Sequence, residues 1–297
     1  MNGTAGWSSW RWIILINGAA TAVTAIFVPF ILPGSIEGAK FLTEQDRADM
    51  LTLRNAEVGQ TASGQLLQKK DVMDGVTDWK VYAYGIAQFC ANMMLYSFSV
   101  FLPTVINGLG EFDRAQANAL SVPVFGLGAI VYIFMCWMSD RLNMRGPIVI
   151  GAFFTSIIGY AMLISQSGSA VSFAGTFIVS MGCYTAVGLG FAWIATNMPR
   201  YGKRAYASGM QLTMGNSSGV AAPFLFSAST APGYTPGYAA SIGTLAFGAL
   251  VHTSLCVWYS RKNKKRDRGE EDWKMEGKTA EEVAEMGEYN PLYRYTI

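Results

Sequence analysis

The 297-residue chain is 51% hydrophobic and only 14% charged, with a formal net charge of +2. A soluble domain carries about 25% charged residues spread over its surface. Here the charges gather in a few short stretches, which excludes an ordinary soluble fold and predicts an all-α membrane protein. The four cysteines, Cys90, Cys136, Cys183 and Cys256, each stand alone within an apolar run. That excludes a zinc site or disulfide framework and leaves them as small packing or lipid-facing residues.

Crossing about 30 Å of hydrocarbon takes about 20 apolar residues in a helix. Seven runs qualify: Trp12–Leu32, Val81–Ile106, Ala119–Ser139, Pro147–Ser165, Val171–Ala195, Tyr206–Thr230 and Tyr238–Tyr259, none of which contains Asp, Glu, Lys or Arg. The first is too long for the apolar core of a signal peptide and no A-x-A-like site follows it, so it counts as a span. After it comes a polar segment, 33–80. Thr43 can cap a helix there, with Glu44 and Asp46 at its positive end, which predicts a short amphipathic surface helix through Arg54. Residues 59–65 are rich in Gly, Ser, Gln and Thr and predict a flexible stretch.

Of the 22 Lys and Arg residues, 20 fall in segment 33–80, in the 140–146 and 196–205 loops, or after Tyr259. These connections alternate along the chain and share one side, and cytoplasmic loops are enriched in Lys and Arg. The N-terminus is therefore expected outside and the C-terminus inside. The expected organisation is an external N-terminus and first span over 1–32, a cytoplasmic loop over 33–80, a six-span unit over 81–259 and a cytoplasmic tail over 260–297.

Local sequence adds a resemblance. The features are Gly6-Trp7-Ser8-Ser9-Trp10-Arg11-Trp12 before the first span, and Pro33 with Phe41-Leu42-Thr43-Glu44 after it. Asp78-Trp79-Lys80 leads to a Tyr96–Gly110 stretch reading YSFSVFLPTVINGLG, and Ser139-Asp140-Arg141 pairs with Arg145. Trp193 and Asn197 precede Lys203-Arg204-Ala205, and Gly215-Asn216-Ser217-Ser218-Gly219 leads to Ala231-Pro232-Gly233-Tyr234. Asn290 and Tyr293-Arg294-Tyr295 close the series. In this order the features resemble the major facilitator superfamily from its sixth helix onward, and within it the fungal allantoate permease group of anion:cation symporters.

The resemblance implies the C-terminal six-helix half of such a transporter plus the preceding helix, with five earlier helices lacking. It implies secondary transport of a small organic anion (a carboxylate, ureide or vitamin acid) across the plasma membrane, proton-coupled in the whole protein. The partners would be that anion, the lipid bilayer and a proton, with no nucleic acid and no cofactor. One half cannot rock against another it does not have, so the chain alone is expected to be transport-incompetent.

Polar residues inside spans are the candidates for the substrate path, because they cost free energy unless paired. Tyr84, Gln88, Asn92 and Tyr96 recur every four residues and form one stripe on a helix face. The stripe is either a substrate-facing wall, whose amides and phenols meet an anion, or an interhelical hydrogen-bond seam. Trp193 and Asn197 are again four apart: a stacking surface for a planar ligand, or an interfacial anchor. Gln211 and Asn216 lie near Gly215-x-x-x-Gly219 and Pro223, which suits either a bent cavity helix or close helix packing. Asp140, Arg141 and Arg145 are expected to latch the inner gate, as the resembled superfamily implies, or only to set topology. His252 is the one span residue that titrates near neutrality and could carry a proton. Asn216-Ser217-Ser218 matches a glycosylation sequon but lies within a span. Asn2-Gly3-Thr4 lies outside, very near the terminus.

No GxxxxGK[ST] loop is present, which argues against ATP-driven transport. No nucleophile–base set or metal cluster is present either, so an enzyme is not expected. The alternatives are a seven-helix receptor, against which the long first inner loop counts, and a non-transporting membrane protein.

Overall fold

A computed structural model describes residues 6–56, 61, 63–108, 110, 113–226 and 233–297. All regular structure among them is helical, as expected where only self-paired backbone can sit in hydrocarbon. The Asn2-Gly3-Thr4 sequon, Gly59, Gln60 and Ala62 of the polar stretch, Leu109, and 227–232 with Ala231-Pro232 lie outside the described residues.

The chain divides into two units, residues 1–57 and 58–297. In the first, α1 spans Ser9–Ile31 and buries no residue within the chain. Its polar groups turn back on their own helix: Asn17 donates to the Ile13 carbonyl, Thr21 to Asn17 and Thr24 to Ala20. Helix α2 spans Glu44–Ala56. The Thr43 hydroxyl accepts from the Asp46 amide at its start, and Arg47 bonds both Glu44 and the Ala39 carbonyl.

The second unit opens with a 3-10 turn, Ser63–Gln65, inside the stretch expected to be flexible. Helix α3, Lys69–Thr77, follows; its nine residues are too short to show a period in sequence. Then come α4 (Trp79–Gly108), α5 (Arg114–Leu142), α6 (Gly146–Ile164), α7 (Ser169–Thr196), α8 (Tyr201–Leu225) and α9 (Thr235–Asp267). Helices α4 to α7 and α9, with α1, make six among the described residues that are long and apolar enough to cross a membrane. The remaining expected run corresponds to α8. It is 25 residues long, but its Gln, Asn, Ser and Gly content keeps it out of that set.

Packing follows the small residues. Helix α6 lies against α7 and α9, α4 against α8 and α9, and α5 against α7. At Gly182 in α7 a Cβ would sit 2.3 Å from the Ala152 carbonyl oxygen of α6 and 2.2 Å from Ser156 Oγ. Only a hydrogen fits there, so the two backbones touch, the usual device where lipid gives helices no hydrophobic reason to associate.

Cations collect at one end of the unit, and acids answer them. Asp78 Oδ2 lies 2.6 Å from both Lys80 Nζ and Lys203 Nζ, and Glu288 bonds Lys203 in turn. All four side chains are buried. Helix α9 continues through the basic run to Asp267, beyond the expected end of its span at Tyr259. The tail then folds back through a 3-10 turn at Asp272–Met275, α10 (Ala280–Ala284) and a second 3-10 turn at Gly287–Tyr289. Arg266 clamps it, bonding Glu271 at 3.0 Å and the carbonyls of Tyr293 and Glu288 at 2.8 Å each. Lys262 also bonds Glu271.

Burial pushes the Asp78 carboxyl up, yet Lys80 and Lys203 more than offset this and hold it below its ordinary value. Glu271 shows the same balance: burial raises it, while Lys262 and Arg266 bring it down to about 2 from an ordinary 4.5.

Two predictions follow from these contacts. Gly182→Ala should lower stability in detergent by about 1–3 kcal/mol through overpacking, whereas Gly151→Ala, with nothing within 4 Å of its Cβ, should be neutral or slightly stabilising. Equal melting temperatures for the two variants would show that the close approach is dispensable. Secondly, a carboxylate with a depressed pKa stabilises the fold above its ordinary pKa and loses that contribution as pH falls through the folded value. The Glu271 clamp should therefore release between pH 4.5 and about 2. A 19F-tryptophan resonance of Trp273 should move over that window, and one that stays fixed would show that Glu271 does not hold the turn.

Candidate functional site

The stripe on α4 meets α8 side by side. Tyr84, Gln88 and Asn92 are buried, Tyr96 is half-buried, and Asn216 on α8 is exposed. The polar groups join in one chain of hydrogen bonds. Gln211 Nε2 donates to the Gly190 carbonyl of α7 at 3.0 Å and to Gln88 Oε1 at 3.2 Å. Gln88 Nε2 donates to Asn92 Oδ1 at 2.9 Å, and Asn92 Nδ2 donates to Asn216 Oδ1 at 3.3 Å. Tyr96 donates to the same Asn216 oxygen at 2.8 Å.

Glycine makes room for this chain. A Cβ at Gly215 would fall 2.8 Å from Gln88 Cγ and 2.9 Å from Asn92 Nδ2. Both readings of the stripe thus have a physical counterpart. Its inner part is a seam between α4, α7 and α8, and its outer end, Tyr96 with Asn216, is open.

Tyr84 sits at the other end of the stripe, away from Asn216. It accepts from Asn197 Nδ2 at 3.4 Å and packs edge-on against Trp193, with ring centroids 5.2 Å apart. Trp193 and Asn197 are buried, and both hold the tail. Trp193 Nε1 donates to the Thr296 carbonyl at 2.8 Å, Asn197 Nδ2 donates to it at 3.0 Å, and the Thr296 amide donates to Asn197 Oδ1 at 2.9 Å. His252 is sealed beside them. Its ring stacks on Trp193, and Nδ1 lies 3.2 Å from the Gly248 carbonyl. The structure therefore brings Gln88, Asn92, Tyr96, Gln211 and Asn216 together, and groups Tyr84, Trp193 and Asn197 separately under the tail.

Asp140, Arg141 and Arg145 surround the tight turn from α5 to α6, where Asn143 adopts a left-handed φ of 52°. Arg145 bonds Asp140 at 3.2 Å and the Ala192 carbonyl of α7 at 2.9 Å. Arg141 lies over the Trp137 ring, 5.6 Å from its centroid. Sequence reasoning missed the buried ion cluster of Asp78, Lys80, Lys203 and Glu288. Asp78 and Lys80, two apart at a helix start, were the available signal, but their partner Glu288 is remote in sequence. A cavity of about 420 Å³ opens beside that network, lined by Asp71, Arg200, Lys203, Glu285 and Glu288 among others. Two ion pairs, Asp71 with Arg200 and Lys203 with Glu288, stand in its wall, and none of the amide chain lines it. No group of three or more His, Cys, Asp or Glu placed to hold a metal occurs among the described residues.

Comparison with known proteins identifies the scaffold. The family model described as Major Facilitator Superfamily matches residues 3–223 and 86–282. An uncharacterised transporter of Schizosaccharomyces pombe is 34% identical over 267 residues, covering 89% of this chain and 53% of the relative. The high-affinity nicotinic acid transporter of Saccharomyces cerevisiae is 27% identical over 257 residues, covering 86% of this chain and 48% of the relative. The chain thus spans about half the length of the curated relatives it matches. A crystal structure of the peptide transporter POT in complex with alafosfalin superposes with a TM-score of 0.50 at 19% identity, covering 59% of this chain and 38% of the other, which speaks to fold alone. Matched by that model over more than half its length, the chain is an integral, multi-pass membrane protein that belongs to the Major Facilitator Superfamily.

Proposed function

We propose that this chain forms part of a secondary transporter for a small organic anion, with α4 and α8 lining the path and Asn216 and Tyr96 meeting the solute. One observation carries the reading: a hydrogen-bonded chain of neutral polar side chains begins sealed between helices and ends at an exposed amide and a half-buried phenol. Packing alone accounts for Gln88 and Gln211, which are answered inside the protein. It gives no reason for the chain to continue to an open Asn216. Amide and phenol donors suit a carboxylate, a ureide or a vitamin acid, and the named substrate of the nicotinic acid transporter is a carboxylate.

In this reading Gln88, Asn92 and Gln211 support the contact, and Tyr84, Trp193 and Asn197 hold the inner end closed beneath the tail. Asp140 and Arg145, with Arg141, latch the α5–α6 turn at the gate. The distribution of Lys and Arg supports an external N-terminus and a cytoplasmic tail. The seven apolar runs contain no carboxylate, so in a proton-coupled whole protein a coupling carboxylate would lie outside them.

The test is equilibrium binding of radiolabelled nicotinate to the chain in lipid nanodiscs. Saturable binding is expected, weakened about tenfold by Asn216→Ala, as for loss of one hydrogen bond to a charged group. Tyr96→Phe should weaken it less. Thr213→Ala, which removes a hydroxyl bonded only to its own helix at the Gly209 carbonyl, should leave it unchanged. Absence of saturable binding, or binding indifferent to both Asn216→Ala and Tyr96→Phe, would refute the assignment.

A further inference from the structure

The hydrogen-bond chain has a direction, and the direction is fixed at its buried end. The Gly190 carbonyl can only accept, so the Gln211 atom 3.0 Å from it must be the amide nitrogen. That nitrogen has one more proton, and it goes to Gln88, whose facing atom is therefore oxygen. The Gln88 nitrogen then faces Asn92 Oδ1, and the Asn92 nitrogen faces Asn216 Oδ1. A single backbone acceptor thus sets the orientation of four side-chain amides in succession, without the ambiguity that an isolated amide carries.

Two further observations agree. Gln211 Oε1 is buried with no hydrogen-bond partner, the expected residue of an amide whose nitrogen is held on both sides. Turning it over would set oxygen against oxygen at Gly190, which costs more than the orphan. At the outer end, Asn216 Oδ1 already accepts from both Asn92 and Tyr96, so both its lone pairs are occupied. What the exposed side chain has left is its NH2 group.

We infer that Gln211 and Gln88 are positioning residues that act through Asn92 to present Asn216 as an obligate hydrogen-bond donor, making this point selective for an acceptor such as a carboxylate over a cationic amine. This rests on the proposal that Asn216 meets the solute. It adds the device that discriminates, anchored at Gln211 about one and a half helical turns from the contact. A free asparagine would turn over to suit either kind of group; an anchored one cannot.

The experiment compares binding of two pyridines to the chain in nanodiscs, nicotinate and 3-(aminomethyl)pyridine, and reads the ratio of their affinities. Gln88→Met keeps volume and removes the link, and Gln211→Met removes the anchor. Each should lower the nicotinate-to-amine ratio about tenfold, chiefly by weakening nicotinate. Within an Asn216→Ala background, Gln88→Met should leave the ratio where Asn216→Ala put it, because the two residues act through one path. A packing role would weaken both ligands alike. An equal loss for both ligands in both Met variants, an unchanged ratio, or additive effects in the double variant would each overturn the inference. If those occur while Asn216→Ala still weakens nicotinate, the relay falls and the solute contact stands. If Asn216→Ala changes nothing, both fall together.

Discussion

Hydrocarbon offers no hydrogen bonds, so polar atoms in a spanning helix cost free energy unless another part of the protein answers them. This chain answers them in three ways, according to the reach of the side chain. Most hydroxyls return to their own helix: Ser97 bonds the Met93 carbonyl, Ser121 that of Ala117, Thr185 that of Met181 and Ser241 that of Gly237, whereas Ser180 reaches the Val124 carbonyl of α5. Such groups can stand almost anywhere on a helix. The amides of Gln88, Asn92 and Gln211 bond across helices instead, with one another, with Asn216 and with the Gly190 carbonyl, and they stand where α4, α7 and α8 converge. The buried charges Asp78, Lys80, Lys203 and Glu288 gather where the helices leave the apolar region.

The same constraint ranks the elements by what they can tolerate. A neutral hydrogen bond contributes about 1 kcal/mol net, but a buried partner left unanswered costs about 1–3 kcal/mol. The amide chain is therefore worth little as a sum of bonds and much as a condition on its members, since removing one strands its neighbour. The ion cluster behaves likewise. Taking two ammonium and two carboxylate groups out of water costs several kcal/mol each, and only their mutual contact makes the arrangement acceptable. Lys203 comes from α8, Lys80 from α4 and Glu288 from the tail. The cluster thus ties the ends of two helices to the tail, alongside the bonds that Arg266, Trp193 and Asn197 make to it.

Spans, charge placement and the polar stripe are visible in sequence because each is a local property. Length and apolarity mark α4 to α7 and α9 without reference to anything distant, and the four-residue spacing from Tyr84 to Tyr96 needs only helical geometry. Helix α3 and the docked tail leave no such trace. Gly75 in α3 packs against Tyr206 of α8, where a Cβ would lie 2.9 Å from a ring carbon, and a lone glycine in a polar segment does not announce a partner 131 positions away. The place of Trp193 and Asn197 was hidden for a related reason. Their partner is the main chain of Thr296, and any residue at that position offers the same carbonyl and amide. Side-chain spacing correctly put the two on one helix face, but it could not say whether a ligand or the protein's own tail would lie over it.

Helix α8 carries this one step further. It falls short of the apolarity of the other long helices because of the residues that distinguish it, Gln211, Asn216, the adjoining serines and the glycines that admit α4. A helix facing lipid all round gains nothing from such residues. One that faces other protein on one side and an aqueous path on another can carry them, provided the sealed ones are answered internally. On α8, Gln211 is fully buried and bonded to two other helices, while Asn216, about one and a half turns on, is exposed. The weak span signal of α8 is thus itself informative, because the residues that weaken it are the ones divided between a sealed seam and an exposed end, and on that division the proposed solute contact rests.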